Sequence, residues 1–513
     1  MYPGSHVATQ PDKPAVIMGT GETITYRELD DRSAQLAQLL HARGLRPGDK
    51  IALLAENHPR YFEVFWAAVR SGLYLTAVNR HLGTDEAAYV VNDCGATVFI
   101  ASAALADTAA AVAEVTPNVS SRLMMDGVVP GFESYEAAIA SHPAEALAEQ
   151  PRGHVMLYSS GTTGLPKGVM RELTGVPVED AALVGAANLE KTWLGMDASS
   201  IYLCPAPLYH AAGLQWSAGV HELGGTVVVM ERFQEEEWLR LIERERVTHT
   251  QVVPTMLVRV MKLPAAVRLG YDVSSLHCVV HAAAPCPVEV KRQVIDWLGP
   301  IVSEFYAGTE TNGMTFLTAS EWLEHPGSVG RAVVGIPHVC APDGQELPPG
   351  EEGDLYFEKN EKLFEYHNDP EKTKKSRHPD HPNWSTLGDV GYLDEDGYLY
   401  LTDRRNFTII SGGVNIYPAE IESCLVMHPA VADVAVFGLP DPDMGEYVHA
   451  VVQVADGTDG TPELAEELRT YTRSLLAGYK VPKVIDFRDD LPRLPTGKLA
   501  KRKLRDEYQG IRA

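Results

Sequence analysis

The sequence has no CxxC pair: its six cysteines stand scattered at positions 94, 204, 278, 286, 340 and 424. That scatter argues against a zinc knuckle or a disulfide framework and leaves reduced thiols in a cytoplasmic protein as the expectation. Basic charge is also short. Lys and Arg number 44 against 69 Asp and Glu, a formal net charge of −25, which removes nucleic acid and anionic membrane surfaces as main partners because phosphate backbones demand basic patches. A local basic groove for a small anion remains compatible with this balance. No uncharged apolar run is long enough to span a bilayer. The opening residues, MYPGSHVATQPDKPAV, carry neither the basic nor the apolar part of a secretory signal.

What is present is the composition of a water-soluble globular chain: 513 residues, 45% hydrophobic and 22% charged, with a mean hydropathy of −0.13. That length requires at least two domains. Thr25 followed by Glu28 predicts a capped helix over residues 23–43, with Leu29, Ala34, Leu36, Leu39 and Leu40 on one side. Strands are predicted at Lys50–Ala55, Ala96–Ser102, Ile201–Cys204, Thr226–Met230, His277–His281 and Ile301–Phe305, alternating with helical stretches. This alternation implies an α/β fold: a large N-terminal domain with mixed or parallel sheets flanked by helices, in which ligand sites lie at the C-terminal ends of strands. The texture changes after about residue 340. Short antiparallel strands are predicted at Glu352–Phe357, Gly397–Thr402 and Phe407–Ser411. From Tyr417 onward follow a helix at 418–427, strands at 432–437 and 447–454, and a helix at 463–477. The expected division is 1–405 and 406–513, the second part a small α+β domain of about 110 residues. The polar run Glu371–Asn383 reads as a mobile loop.

One segment concentrates chemistry: YSSGTTGLPKG, Tyr158–Gly168. Glycines let backbone approach an anion closely, and hydroxyl and N–H donors wrap phosphate oxygens. Taken alone, such a loop is as often a polar surface turn. It is not a Walker A loop, because Pro166 stands where the second glycine would be needed.

This segment resembles the phosphate loop of the adenylate-forming superfamily, which includes acyl-CoA synthetases, peptide-synthetase adenylation domains and beetle luciferases. Further motifs follow in that family's order from about residue 23 to 504. The resemblance implies that Ser159, Ser160, Gly161, Thr162, Thr163, Gly164 and Lys167 hold the phosphates of ATP. It implies that His210, in PLYHAAG, positions the substrate carboxylate; a histidine capping a helix is the alternative. In HAAAP, Ala283, Ala284 and Pro285 would face adenine, where a tight turn is equally expected. In FYAGTET, Tyr306 would stack on adenine beside Gly308, Thr309 would bond the α-phosphate, and Glu310 would hold Mg²⁺, a hard cation that shares carboxylate and phosphate oxygens. Without the resemblance, that pair reads as a helix cap. Asp389 and Arg404 would bind the ribose; a turn aspartate and a solvated cation are the alternatives.

The resemblance further implies that the C-terminal domain is mobile and turns about Asn406. The family usually carries Asp or Lys at this hinge, so the chain departs there; Asn still tolerates unusual backbone angles. Lys498, in LPTGKL, would act during adenylation, and Gly413, in SGGVNIYPAEIE, would leave a passage for coenzyme A in the second step. The implied activity is an acyl-CoA synthetase using ATP, Mg²⁺ and coenzyme A on a carboxylic acid. Alternatives are an acyl-AMP ligase loading a separate carrier protein, remotely a luciferase-like oxidation, and, from another class, a nucleotide-binding sensor without catalysis. Trp216, Ser217, Val253, Met256, Leu257 and Met314 are the expected pocket residues. They offer no charged anchor, which points to a hydrophobic acid, a fatty acid first. No membrane segment and no nucleic-acid partner are expected, and self-association is left open.

Overall fold

Thr25 ends an extended stretch and its hydroxyl accepts a hydrogen bond from the Glu28 amide, while Glu28 Oε2 accepts from the Thr25 amide at 2.8 Å. This reciprocal cap starts the helix Tyr26–Ala42, whose Leu29, Leu36, Leu39 and Leu40 are buried. The computed structural model describes residues 1–159, 166–180, 182, 185–360, 364–404, 407–412, 414–493 and 499–512; at Ser159, Asp403, Arg404, Asn415, Ile511 and Arg512 it describes the backbone alone. The described chain forms two units. The first comprises Met1–Val252, Ala265–Val279 and Phe364–Pro370; the second comprises Val253–Pro264, Val280–Leu363 and Glu371–Ala513.

In the first unit, Lys50–Leu54 lies between Tyr74–Val78 and Val98–Ser102 in a parallel sheet, continued by Ser121–Met125 on one side and His154–Val155 on the other. Parallel neighbours require crossovers, and the helices Tyr61–Val69, Thr84–Asp93 and Ala106–Glu114 lie between the strands in sequence. Every residue of Tyr61–Val69 is buried. Its one carboxylate, Glu63, is answered by Arg32 at 2.6 Å and the Tyr135 hydroxyl at 3.0 Å. A second parallel set joins Pro14–Met18, Thr226–Val229, Ile201–Cys204 and His249–Val252. Thr226–Val229 and Ile201–Cys204 are buried almost throughout, which is why they read as apolar runs; His249–Val252 is buried as well but carries His, Thr and Gln.

The helix Ala211–Leu223 packs against the helix Gly185–Leu194. The contact needs Gly219, where a Cβ would stand 2.5 Å from Glu190 Oε2. Glu190 is fully buried, and neither carboxyl oxygen has a hydrogen-bond partner among the described residues. Burial pushes its carboxyl well above the ordinary carboxylate range, and neighbouring Glu222 adds to the shift. A carboxyl raised in the fold gives its full contribution to stability below the unfolded value near 4.5 and loses it as pH rises toward the folded value. Glu190→Gln, neutral at every pH, is therefore expected to raise Tm at pH 8 by about 2–4 °C, with a smaller gain at pH 5. Calorimetry at the two pH values measures this.

In the second unit, Val302–Ala307, Met314–Thr318 and Arg331–Val334 pair antiparallel. Ile336–Cys340, Gly353–Glu358, Asp389–Leu393 and Leu399–Arg404 form another antiparallel array. The C-terminal part is α+β: Val431–Asp441 and Gly445–Val454 form a long hairpin, Val484–Arg488 joins it in parallel, and the helices Pro418–Leu425 and Pro462–Leu475 bring Ile421, Leu425 and Leu468 into the same core as Val434, Val436 and Val452.

The run expected as a mobile loop after Glu371 is structured. The helix Pro370–Lys375 opens it, and Trp384 then stacks between His338 at 3.6 Å and His381 at 4.1 Å. Its polar composition hid the ring stack, one partner of which lies on a distant strand. No helix among the described residues is long and apolar enough to cross a membrane.

Candidate active site

In the first unit, Leu157–Ser159 pairs antiparallel with Lys167–Met170, Lys167 lying opposite Ser159. The residues joining them include Ser160, Gly161, Thr162, Thr163 and Gly164, which lie outside the described residues, as does the side chain of Ser159. The paired strands carry Lys167 at the end next to that connection. Its ammonium meets Asp369 Oδ2 at 3.1 Å, and this bond raises the lysine's pKa. Asp369 arrives on a late segment whose strand Glu365–Tyr366 pairs with Lys167–Met170. The same segment is tied to Asp93 through His367 and Asn368, and Asp93 also accepts the Tyr158 hydroxyl at 2.6 Å. Asp369 has no local signal in the sequence, because its contact with Lys167 is made across the fold.

His210 is the N-cap residue of Ala211–Leu223, in extended conformation, but its side chain makes no capping bond. Capping therefore does not account for the imidazole. Its ring lies 4.5 Å from that of Tyr209. Gly213 in the same helix is held to glycine by the Pro207 carbonyl, 2.3 Å from where a Cβ would be. Trp216 and Ser217 are buried on this helix. The buried Glu190 carboxyl behind it went unseen in the sequence, which had shown no acidic group there.

In the second unit, Ala283, Ala284 and Pro285, which follow the strand Cys278–His281, are all exposed. Ala283 has a φ of 75°, a left-handed conformation that a non-glycine residue rarely holds. Tyr306 lies on the strand Val302–Ala307, and its hydroxyl donates to Asp389 Oδ2 at 2.6 Å. Asp389 begins the strand Asp389–Leu393 and lies directly opposite Arg404 in the register with Leu399–Arg404. The Arg404 side chain lies outside the described residues. Gly308 permits the close approach of the two segments: a Cβ there would stand 2.1 Å from Leu387 Cδ1. Thr309 and Glu310 sit in a turn closed by the Thr311 amide on the Gly308 carbonyl at 3.0 Å, with Glu310 buried. Asn312, which the sequence reading missed, ties this turn to the Ser385 carbonyl at 3.2 Å. Leu257 and Met314 are also buried in this unit.

Among the described residues no three acidic, His or Cys side chains cluster to hold a metal. A cation at Glu310 would thus draw its other ligands from water and a bound anion. That donor set suits Mg²⁺, which is usually held by one or two carboxylates together with phosphate oxygens.

The hairpin strands Ile409–Ser411 and Val414–Ile416 flank Gly413, and Arg493 bridges to Leu499 on either side of Lys498. Gly413, Lys498 and Asn406 themselves lie outside the described residues.

The first unit thus places Lys167 and His210, and the second places the exposed Ala283–Pro285 turn, Tyr306, Glu310 and Asp389. Similarity to known proteins extends over nearly the whole length. The model of the AMP-binding enzyme family matches residues 5–365, and that of the AMP-binding enzyme C-terminal domain matches residues 420–498. The chain is 35% identical to a feruloyl-CoA synthase of an Amycolatopsis species, over 99% of this chain and 98% of the relative. It is 33% identical to the fatty acid–[acyl-carrier-protein] ligase ScoC of Streptomyces coeruleorubidus, over 98% and 95%. ATP-bound MatB from Rhodopseudomonas palustris superposes with a TM-score of 0.81 at 30% identity, with all of both chains covered. The chain belongs to the AMP-binding enzyme family, within the adenylate-forming superfamily.

Proposed function

We propose that this enzyme is an acyl-CoA synthetase: it converts ATP, a hydrophobic carboxylic acid and coenzyme A to acyl-CoA, AMP and pyrophosphate through an acyl-adenylate. The observation that carries the nucleotide part is the Tyr306–Asp389 bond at 2.6 Å, which holds an aromatic ring and a carboxylate as one unit. A ring offers a stacking face to a base, and a carboxylate accepts hydrogen bonds from paired sugar hydroxyls.

In the first step the substrate carboxylate, placed by His210, attacks the α-phosphorus, an oxygen–phosphorus bond forms, and pyrophosphate leaves. Negative charge grows on the phosphoryl and leaving oxygens. Thr162, Thr309, Lys167 and Lys498 are the donors this reading assigns to them, preorganised where the charge develops. Mg²⁺ held by Glu310 supplies further charge neutralisation when bound. In the second step the C-terminal domain, residues 406–513, turns about Asn406. Lys498 leaves and the Gly413 backbone arrives. The thiolate of coenzyme A attacks the acyl carbon and AMP departs.

The acid is hydrophobic, with a fatty acid as first choice and an aromatic acid next. Names among the relatives support both, a fatty acid ligase and a feruloyl-CoA synthase. The carrier-protein ligase among them also supports a second reading, transfer to a carrier thiol in place of coenzyme A.

The test is a panel of fatty, aryl and short polar acids, each with ATP, with and without coenzyme A, following pyrophosphate release and free thiol. Steady turnover that consumes coenzyme A with a hydrophobic acid is expected. Pyrophosphate release with no loss of coenzyme A would favour the carrier reading. No pyrophosphate with any acid would leave a nucleotide-binding sensor.

A further inference from the structure

Behind the Ala283–Pro285 turn lies a buried charged cluster that the mechanism above does not use. Lys291, on the helix Val288–Leu298, is 1% exposed, and its Nζ lies 2.5 Å from Oε2 of Glu304, itself 4% exposed. His281, the last residue of Cys278–His281, is fully buried and has its Nε2 3.5 Å from the same oxygen. Neither ring nitrogen of His281 has a hydrogen-bond partner among the described residues. The Lys291 ammonium also sits 4.9 Å from the centre of the Trp322 ring.

Stability alone is a weak reason for this arrangement. Taking two charges out of water is expensive, and apolar replacement of a buried pair is often neutral or better. What a charge pair supplies over a greasy contact is a fixed distance and direction. The turn in front of it needs such fixing. Ala283 is held in a left-handed conformation, which persists only where the surroundings over-determine it. Its exposed residues are alanines and a proline, whose side chains make no hydrogen bonds. His281, before the turn, lies beside Glu304, and Lys291, on the helix after it, is paired to Glu304. Glu304 stands two residues before Tyr306 on one strand, so the two share a face.

We propose that Lys291 and Glu304 are positioning residues for adenine recognition: their buried pair sets the spacing between the Ala283–Pro285 turn and the strand that presents Tyr306. The claim rests on the reading of these two segments as the adenine site.

The experiment compares wild type, the double variant Lys291→Met/Glu304→Gln, and Glu304→Asp, which keeps the charge on a shorter arm. Three quantities are read: Tm, ATP Kd by calorimetric titration, and KM for ATP and for acid in pyrophosphate release. The double variant, freed of both buried charges, is expected to keep Tm within a few degrees of wild type while ATP Kd and KM rise about tenfold, equivalent to ~1.4 kcal/mol. kcat and KM for the acid should change little. Glu304→Asp should fold and weaken ATP several-fold, so the claim stays open to refutation if the double variant does not fold. Wild-type ATP affinity in either folded variant overturns the proposal, because the pair would then be structural only. A wild type that binds ATP but releases no pyrophosphate with any acid sinks the synthetase reading alone, and the Kd comparison still decides this one. A wild type that binds no ATP overturns both.

Discussion

Lys498→Ala is expected to lower acyl-adenylate formation by about 10²–10³-fold, the loss that follows removal of one preorganised donor worth about 2–4 kcal/mol from a developing oxyanion. The same variant should make thioester from supplied acyl-adenylate at close to the wild-type rate. The asymmetry comes from the assigned role: the charge Lys498 would stabilise develops during attack on the α-phosphorus, and no phosphorus–oxygen bond forms in the thioester step. The sequence places this lysine between Arg493 and Leu499, whose backbones bridge to each other. Single-turnover measurement of each half-reaction separates the outcomes. Equal loss in both would mean that Lys498 supports folding or general binding rather than the first step.

The second large effect is expected at Asp389. Asp389→Asn preserves shape but removes the charge that accepts the Tyr306 hydroxyl at 2.6 Å. Hydrogen bonds to ionised groups contribute about 1.5–3 kcal/mol each, so KM for ATP should rise roughly 10–100-fold, with KM for the acid nearly unchanged. Steady-state pyrophosphate release with ATP and acid varied in turn measures the split. A rise in both KM values together, or in neither, would remove Asp389 from the nucleotide contact set.

Local signals in the sequence carried far. The Thr25–Glu28 cap was legible because both partners lie within one helical turn. The strands Ile201–Cys204 and Lys50–Leu54 were legible because burial on both faces leaves an apolar run. The hairpin strand Val431–Asp441 was read too short. Its Gly438-Leu-Pro-Asp end looks like a turn, yet it pairs out to Asp441 opposite Gly445. The helix and ring stack in 370–384 were hidden by polar composition. In the site, motif residues announced themselves through glycines and hydroxyls. Their supports did not: Asp369 beside Lys167, Leu387 against Gly308, Asn312 on Ser385, and the Lys291–Glu304 pair are tertiary contacts with no periodic trace.

The first unit is completed by Phe364–Pro370, which supplies both the third strand beside Lys167–Met170 and the carboxylate that meets Lys167. During biosynthesis the hairpin that carries Lys167 therefore waits for its edge partner. At roughly 5–20 residues per second, the roughly 200 residues separating the two take on the order of 10–40 s to make. Through that interval the nascent hairpin exposes an unpaired strand edge to the ribosome's surroundings, so a truncation before Phe364 leaves this unit open rather than merely shorter.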